Sequence, residues 1–160
     1  MSVGPVRQLS KACVRLPAMD VAMKWMLVVH IVGFAMWVGT QIGASHVLKA
    51  HAKAGGSAGS MFSDLEKSFG VPMDMGATMT IVAGVLMIVL PAGGTAILKG
   101  GGFFHAKLLL VAVLVLTHIV LRRRLGQARR GEPTPPPSWV FPAVQVAAWA
   151  IVILIIVRPF

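Results

Sequence analysis

The sequence predicts an all-α integral membrane protein, a four-helix bundle connected up-down-up-down. Two compositional facts and one pattern predict it. Of the 160 residues, 56% are hydrophobic and only 12% are charged, and the mean hydropathy is +0.80, far from a soluble average. Four apolar runs are long enough for a bilayer core of roughly 30 Å, which takes about 20 helical residues: Trp25 to Leu48, Met75 to Leu98, Phe103 to Leu121 and Trp139 to Val157. The fifteen Lys and Arg behind the formal net charge of +10 sit almost entirely at the ends of these runs. Cations there snorkel and set topology, so the charge points to membrane lipid and not to nucleic acid.

Taken in order, residues 1–22 form a basic leader and residues 23–160 the transmembrane domain. The apolar run after the leader is too long for a signal-peptide core of about 7–15 residues, so the leader reads as retained. Cys13 is the single cysteine, so no disulfide or thiolate metal site forms within the chain. "AGGSAGS" closes the first helix, and "SMFSDLEKSFG" reads as a short interfacial turn before Pro72. "PAGGTAILKGGG" ends the second helix, and the proline-rich "GQARRGEPTPPPS" is a stiff link after the third. No internal repeat is visible, which argues against an inverted-repeat transporter. An even helix count puts both termini on one side. The arginines from Arg122 to Arg130 place the loop after the third helix in the cytoplasm, so the termini are expected outside the inner (plasma) membrane.

Ionisable groups inside such runs are functional candidates. On the first helix His30 and Trp37 are seven residues apart, within roughly 20° on one stripe at about 100° per residue, and His51 falls near it. His46 faces elsewhere. On the third helix His105 and His118 lie about 20 Å apart along the axis and on different faces, so one small ion cannot take both. In an up-down-up-down bundle the first and third helices run the same way, and His30 and His105 each sit near the start of theirs. At matched depth, two neutral imidazoles across a bundle suit a b-type haem, with Gly33 making room. His118 would act deeper in. The chain has no Cys-x-x-Cys-His, which excludes the usual covalent c-type attachment. Lys107 either snorkels to the surface or pairs with a carboxylate such as a propionate. Met73, Met75 and Met79 are either packing or a soft Cu(I) site. Asp74, near the expected helix start, suits the macrodipole. Gln145 and Trp149, one turn apart, are candidates for lining one cavity, and Trp25, Trp139 and Arg158 for interfacial anchors.

These positions resemble the HemJ family of bacterial membrane protoporphyrinogen IX oxidases and related CopD-like membrane proteins, over about residues 23–160. "VVHIVGFAMWVG" is similar to that family's first helix, with His30 and Trp37 at its separation, and His51 falls where its "YH" histidine lies. "FFHAKLLLVAVLVLTH" resembles its third-helix signature at His105, Lys107 and His118, and "IVILIIVRPF" resembles its closing segment. The family's "YLPR" stands here as "IGAS" and its "NEVP" as "WVFP". The resemblance implies haem b at His30 and His105, with Trp37, Lys107 and His118 as neighbouring functional positions; Lys107 and His118, as basic groups, are the catalytic candidates for taking protons from the substrate. It further implies a porphyrin substrate oxidised from protoporphyrinogen IX to protoporphyrin IX. Electrons would pass to quinone or another component of the electron-transport chain, from a homo-oligomer or a larger membrane complex. Two other functions fit the same residues: a cytochrome b-like electron-transfer subunit without enzymatic activity, and a CopD-like copper-handling protein.

Overall fold

The computed structural model of the chain describes residues 17–54, 59–90, 102–132 and 134–157. Among the described residues four helices make up the bundle: α1 Pro17–Ala54, α2 Gly59–Val89, α3 Gly102–Ala128 and α4 Val140–Val157. No strand occurs among the described residues. Each helix is long and apolar enough to cross a membrane. Most of the leader, including Cys13, lies outside the described residues, as do residues 55–58, the link at 91–101 with Lys99, and Arg158. Pro17, at the first position of α1, has the fixed φ that starts a helix, so α1 takes in the last residues of the leader.

Three helices differ from the expected boundaries. α1 extends past both ends of the expected Trp25 to Leu48, and the part of the second run expected beyond Leu90 lies outside the described residues. The expected interfacial turn before Pro72 is not separate: α2 begins at Gly59, passes through Pro72 and ends at Val89. Proline forfeits one backbone hydrogen bond, a loss that membrane helices tolerate where neighbouring helices pack against them, and α1 packs along α2 more extensively than any other pair. The third run also continues past Leu121 to Ala128. At about 1.5 Å per residue its 27 residues reach some 40 Å, longer than a hydrocarbon core of roughly 30 Å, and Arg122, Arg123 and Arg124 lie in its last two turns. α3 then stops on a Schellman cap: Glu132 N–H donates to Gln127 O at 3.2 Å and Gly131 N–H to Ala128 O at 3.0 Å, with Gly131 at φ +85°. Arg124 donates to Thr134 at 2.7 Å and Thr134 to Gln127 at 2.9 Å, tying the proline-rich link to the helix end.

The contacts fix the order of directions. Along α1, His30, Trp37 and His51 meet Thr80, Gly76 and Glu66 in turn, so α1 and α2 are antiparallel. Asp74 meets His118 and Arg122, while Gly70 lies against Arg122 and Arg129, so α2 and α3 are antiparallel as well. His46 and Lys49, late in α1, meet Phe141 at the start of α4. The bundle is therefore up-down-up-down.

Small residues bring α1 and α2 together. A Cβ on Gly76 would stand 2.6 Å from Trp37 N and 2.9 Å from Gly33 O, and one on Gly33 2.9 Å from Thr80 N. Backbones touch there, the close approach that drives helix association in lipid. The core holds Trp37, Leu48, Met73, Leu114, Leu121, Leu125, Val140 and Val144. Large apolar side chains such as Trp25, Val71, Leu109 and Trp149 face outward, as a lipid environment allows. Inside, Thr117 donates to Gln41 Oε1 at 2.8 Å, joining α3 to α1, and Ser45 donates to Gln41 O at 2.8 Å within α1.

Candidate functional site

Three helices contribute to one polar chain. The Trp37 indole Nε1–H donates to His118 Nδ1 at 3.1 Å; His118 Nε2 lies 3.3 Å from Asp74 Oδ1; Arg122 Nη2 lies 3.0 Å from Asp74 Oδ2. Indole nitrogen only donates, so His118 Nδ1 is the acceptor and its hydrogen sits on Nε2, aimed at the carboxylate. The chain grades from interior to surface: Trp37 is 0% exposed, the His118 side chain 17% and the Asp74 side chain 44%. One turn separates His118 from Arg122 on α3, so both reach the same aspartate.

Two of these members depart from the sequence expectation. Asp74 is not at a helix start, because α2 begins fifteen residues earlier, at Gly59; its partners, not the macrodipole, account for it. Arg122 is not a loop residue but a helical one folded against α2. A Cβ on Gly70 would meet Arg122 Nη1 at 2.6 Å and Arg129 Nη2 at 3.0 Å, so a glycine on α2 leaves room for two guanidinium groups. Beside them an open cleft of about 400 Å³ is lined by His118, Ile119, Arg122, Arg123, Gly126 and Arg129. The available signal was an acid bordering an apolar run, but its partners lie on another helix.

The other candidate residues sit towards the far end of α3. His30 Nδ1 lies 2.7 Å from Thr80 O. A carbonyl only accepts, so Nδ1 carries the hydrogen and the Nε2 lone pair is the one left for a metal, the tautomer that ligating histidines adopt. Gly84 lets the ring lie against α2, where a Cβ would stand 3.1 Å from His30 Cε1. Lys107, half-buried on α3, is close enough for its charge to act on His30. His105 is exposed near the start of α3 and meets Phe104 edge-on, with ring centroids 6.3 Å apart. Thus Trp37 and His118 come together, and His105 stands on the outer face of α3. The donor chemistry at His30 fits an axial haem ligand. Neither described pocket is lined by His30 or His105.

The remaining candidates resolve as follows. His51 and Glu66 form a buried pair, Nδ1 to Oε1 2.8 Å, with His51 stacked on Phe62; Glu66 Oε2 has no partner. His46 packs edge-on against Phe141. Met73 is in the core while Met75 is 54% exposed, and Met79 lines an apolar groove with Trp25 and Leu86, so the three thioethers do not converge. Among the described residues no three His, Cys, Asp or Glu side chains gather as a metal site. Gln145 and Trp149 do not line a cavity: both are exposed on α4, whose buried stripe is Val140, Val144, Ala147 and Ile151. Four-residue spacing puts a pair on one face without saying which face is inward.

Compared with known proteins, the chain is 25% identical over 145 residues to the protoporphyrinogen IX oxidase of Helicobacter pylori strain 26695. It is 24% identical over the same length to that of strain J99. Each alignment covers 85% of this chain and 94% of the relative. No family model matches the chain, and no solved structure matches it.

Proposed function

We propose that this chain is a membrane-embedded oxidase of HemJ type that takes protoporphyrinogen IX to protoporphyrin IX. The observation that carries the reading is the Trp37–His118–Asp74–Arg122 chain, found in a protein similar over most of its length to two protoporphyrinogen IX oxidases. Such an oxidation removes hydrogens as equal numbers of protons and electrons, so the site must hold protons inside a membrane. Asp74, the half-exposed end of the chain, is the acceptor an arriving proton can reach, and His118 shares that proton across its Nε2 hydrogen while Trp37 holds the imidazole through Nδ1. Arg122 holds the other oxygen of Asp74 and so fixes the carboxylate in place.

Haem b, for which His30 and, from the exposed face of α3, His105 are the candidate holding residues, would supply a one-electron acceptor whose electrons leave for quinone or another membrane carrier. Lys107, a half-buried cation on α3 whose charge acts on His30, is suited to a propionate. In this reading the arginine-rich end of α3 faces the cytoplasm.

The test is expression in a strain that lacks its own protoporphyrinogen oxidase. The parent should restore growth, and His118→Ala and Lys107→Met should lose that rescue while keeping haem. Failure of a membrane-inserted, haem-loaded parent to rescue would replace the enzyme reading with that of an electron-transfer subunit.

A further inference from the structure

The cleft beside Arg122 is more than the positive end of a membrane helix. Arginines that only set topology fan out into the headgroups, each solvated separately. Here Arg122 and Arg129, seven residues apart on α3, turn towards one point on α2, the place a Gly70 side chain would occupy, at 2.6 and 3.0 Å. Like charges brought together repel unless an anion lies between them. The acid present is Asp74, whose Oδ2 is 3.0 Å from Arg122 and whose Oδ1 faces His118. Arg123 and Arg129, both exposed on the cleft wall, have no acidic partner among the described residues. Gly126 borders open space on this wall, where even a Cβ would meet nothing within 4 Å.

We infer that the Arg122–Arg129 cleft binds the carboxylate arms of an amphiphilic tetrapyrrole. The inference rests on the proposed oxidase reading for its choice of ligand, but not for the site. Guanidinium forks match carboxylate oxygens two at a time. The cleft's depth suits an acid attached to an apolar body: the arginines start where the apolar run of α3 ends, while Ile119 and His118 lie one turn further into the bilayer. A macrocycle anchored by its acids at this end extends towards His118 and Asp74. It also stays clear of Lys107, fifteen residues and about 22 Å away along α3, so this acid seat is separate from that cation. A phosphate headgroup offers similar oxygens, so the experiment must separate the two sources.

The test uses the purified full chain in neutral detergent, with protoporphyrin IX and its dimethyl ester as fluorescent probes read by anisotropy. The diacid should bind about tenfold tighter than the ester, the margin expected for charge-assisted pairing. Arg129→Gln and Gly70→Ala should each erase that preference. The Gly70 change displaces only flexible side-chain ends, so it keeps the fold and moves the charges. His30→Ala should leave the preference intact. Equal binding of diacid and ester, or a preference lost in His30→Ala and kept in Arg129→Gln, overturns the inference. In the second arm, the chain is placed in vesicles of phosphatidylcholine with or without phosphatidylglycerol. Loss of the diacid preference in the anionic vesicles assigns the cleft to lipid phosphate and overturns the tetrapyrrole assignment; its persistence supports it. Rescue is a separate readout: a parent that fails to rescue yet prefers the diacid loses the oxidase reading and keeps the seat, and one that rescues without the preference does the reverse.

Discussion

Trp37→Phe removes one hydrogen-bond donor and keeps most of an apolar ring. The indole is 0% exposed and its Nε1 is 3.1 Å from His118 Nδ1, so the loss has two parts. Interhelical hydrogen bonds in membrane bundles average about 0.6 kcal/mol and reach about 1.7; a neutral indole–imidazole bond with a buried donor belongs near the middle, about 1 kcal/mol. The missing ring leaves a small cavity, worth about another 1 kcal/mol at ~24 cal/mol per Å³. Trp37→Phe should therefore destabilise the bundle by about 2 kcal/mol. The assay is reversible unfolding of the purified chain in mixed micelles, followed by far-ultraviolet circular dichroism, for Trp37→Phe, His118→Ala and the double variant. The cycle should return a coupling of about 1 kcal/mol, because only the hydrogen-bond part is shared. Nitrogen-15 spectra of labelled imidazole should show His118 protonated at Nε2 in the parent and mixed between nitrogens in Trp37→Phe. Additivity within about 0.3 kcal/mol, with an unchanged tautomer, would refute the relay as drawn.

Other perturbations are read in the same or simpler assays. Gly76→Ala puts a Cβ 2.6 Å from Trp37 N and 2.9 Å from Gly33 O, backbone that cannot step aside, so α1 and α2 part at a cost of about 1–3 kcal/mol; Gly39→Ala, with nothing within 4 Å, should cost nothing. Glu66→Leu strands the buried His51 Nδ1 and should cost about 1–3 kcal/mol, whereas Glu66→Gln keeps an acceptor oxygen and should stay within about 1 kcal/mol. A reduced-minus-oxidised spectrum should lose or shift its Soret band in His30→Ala and in His105→Ala but not in His46→Ala; full haem retention in both of the first two sinks that pairing. A reporter fused after Phe160 should be active only in its extracytoplasmic form, and activity of the cytoplasmic form reverses the orientation.

What the sequence by itself determined is whatever depends on length and composition. The four spans, their alternating directions and the exclusion of a disulfide scaffold follow from the thickness of hydrocarbon and the residues it accepts. Along a single helix, seven-residue spacing correctly set His30 and Trp37 on related faces, and both turn onto α2 or the bundle interior. Helix ends were less legible, because beyond the bilayer a helix stops where capping and packing stop it: α2 runs through Pro72 against α1, and α3 carries its arginines to the Gly131 cap. The polar chain was decided only by tertiary structure. Trp37 and His118 are 81 residues apart in sequence, and nothing local to Asp74 says that α3 will bring His118 and Arg122 to it. Rotation of each helix about its axis is set by packing, which is also why Gln145 and Trp149 share a face that turned out to point away from the bundle. Periodicity states which residues share a face; the contacts of Gly33, Gly70 and Gly76, where backbones and long side chains approach closely, decide which face looks inward and which charges meet there.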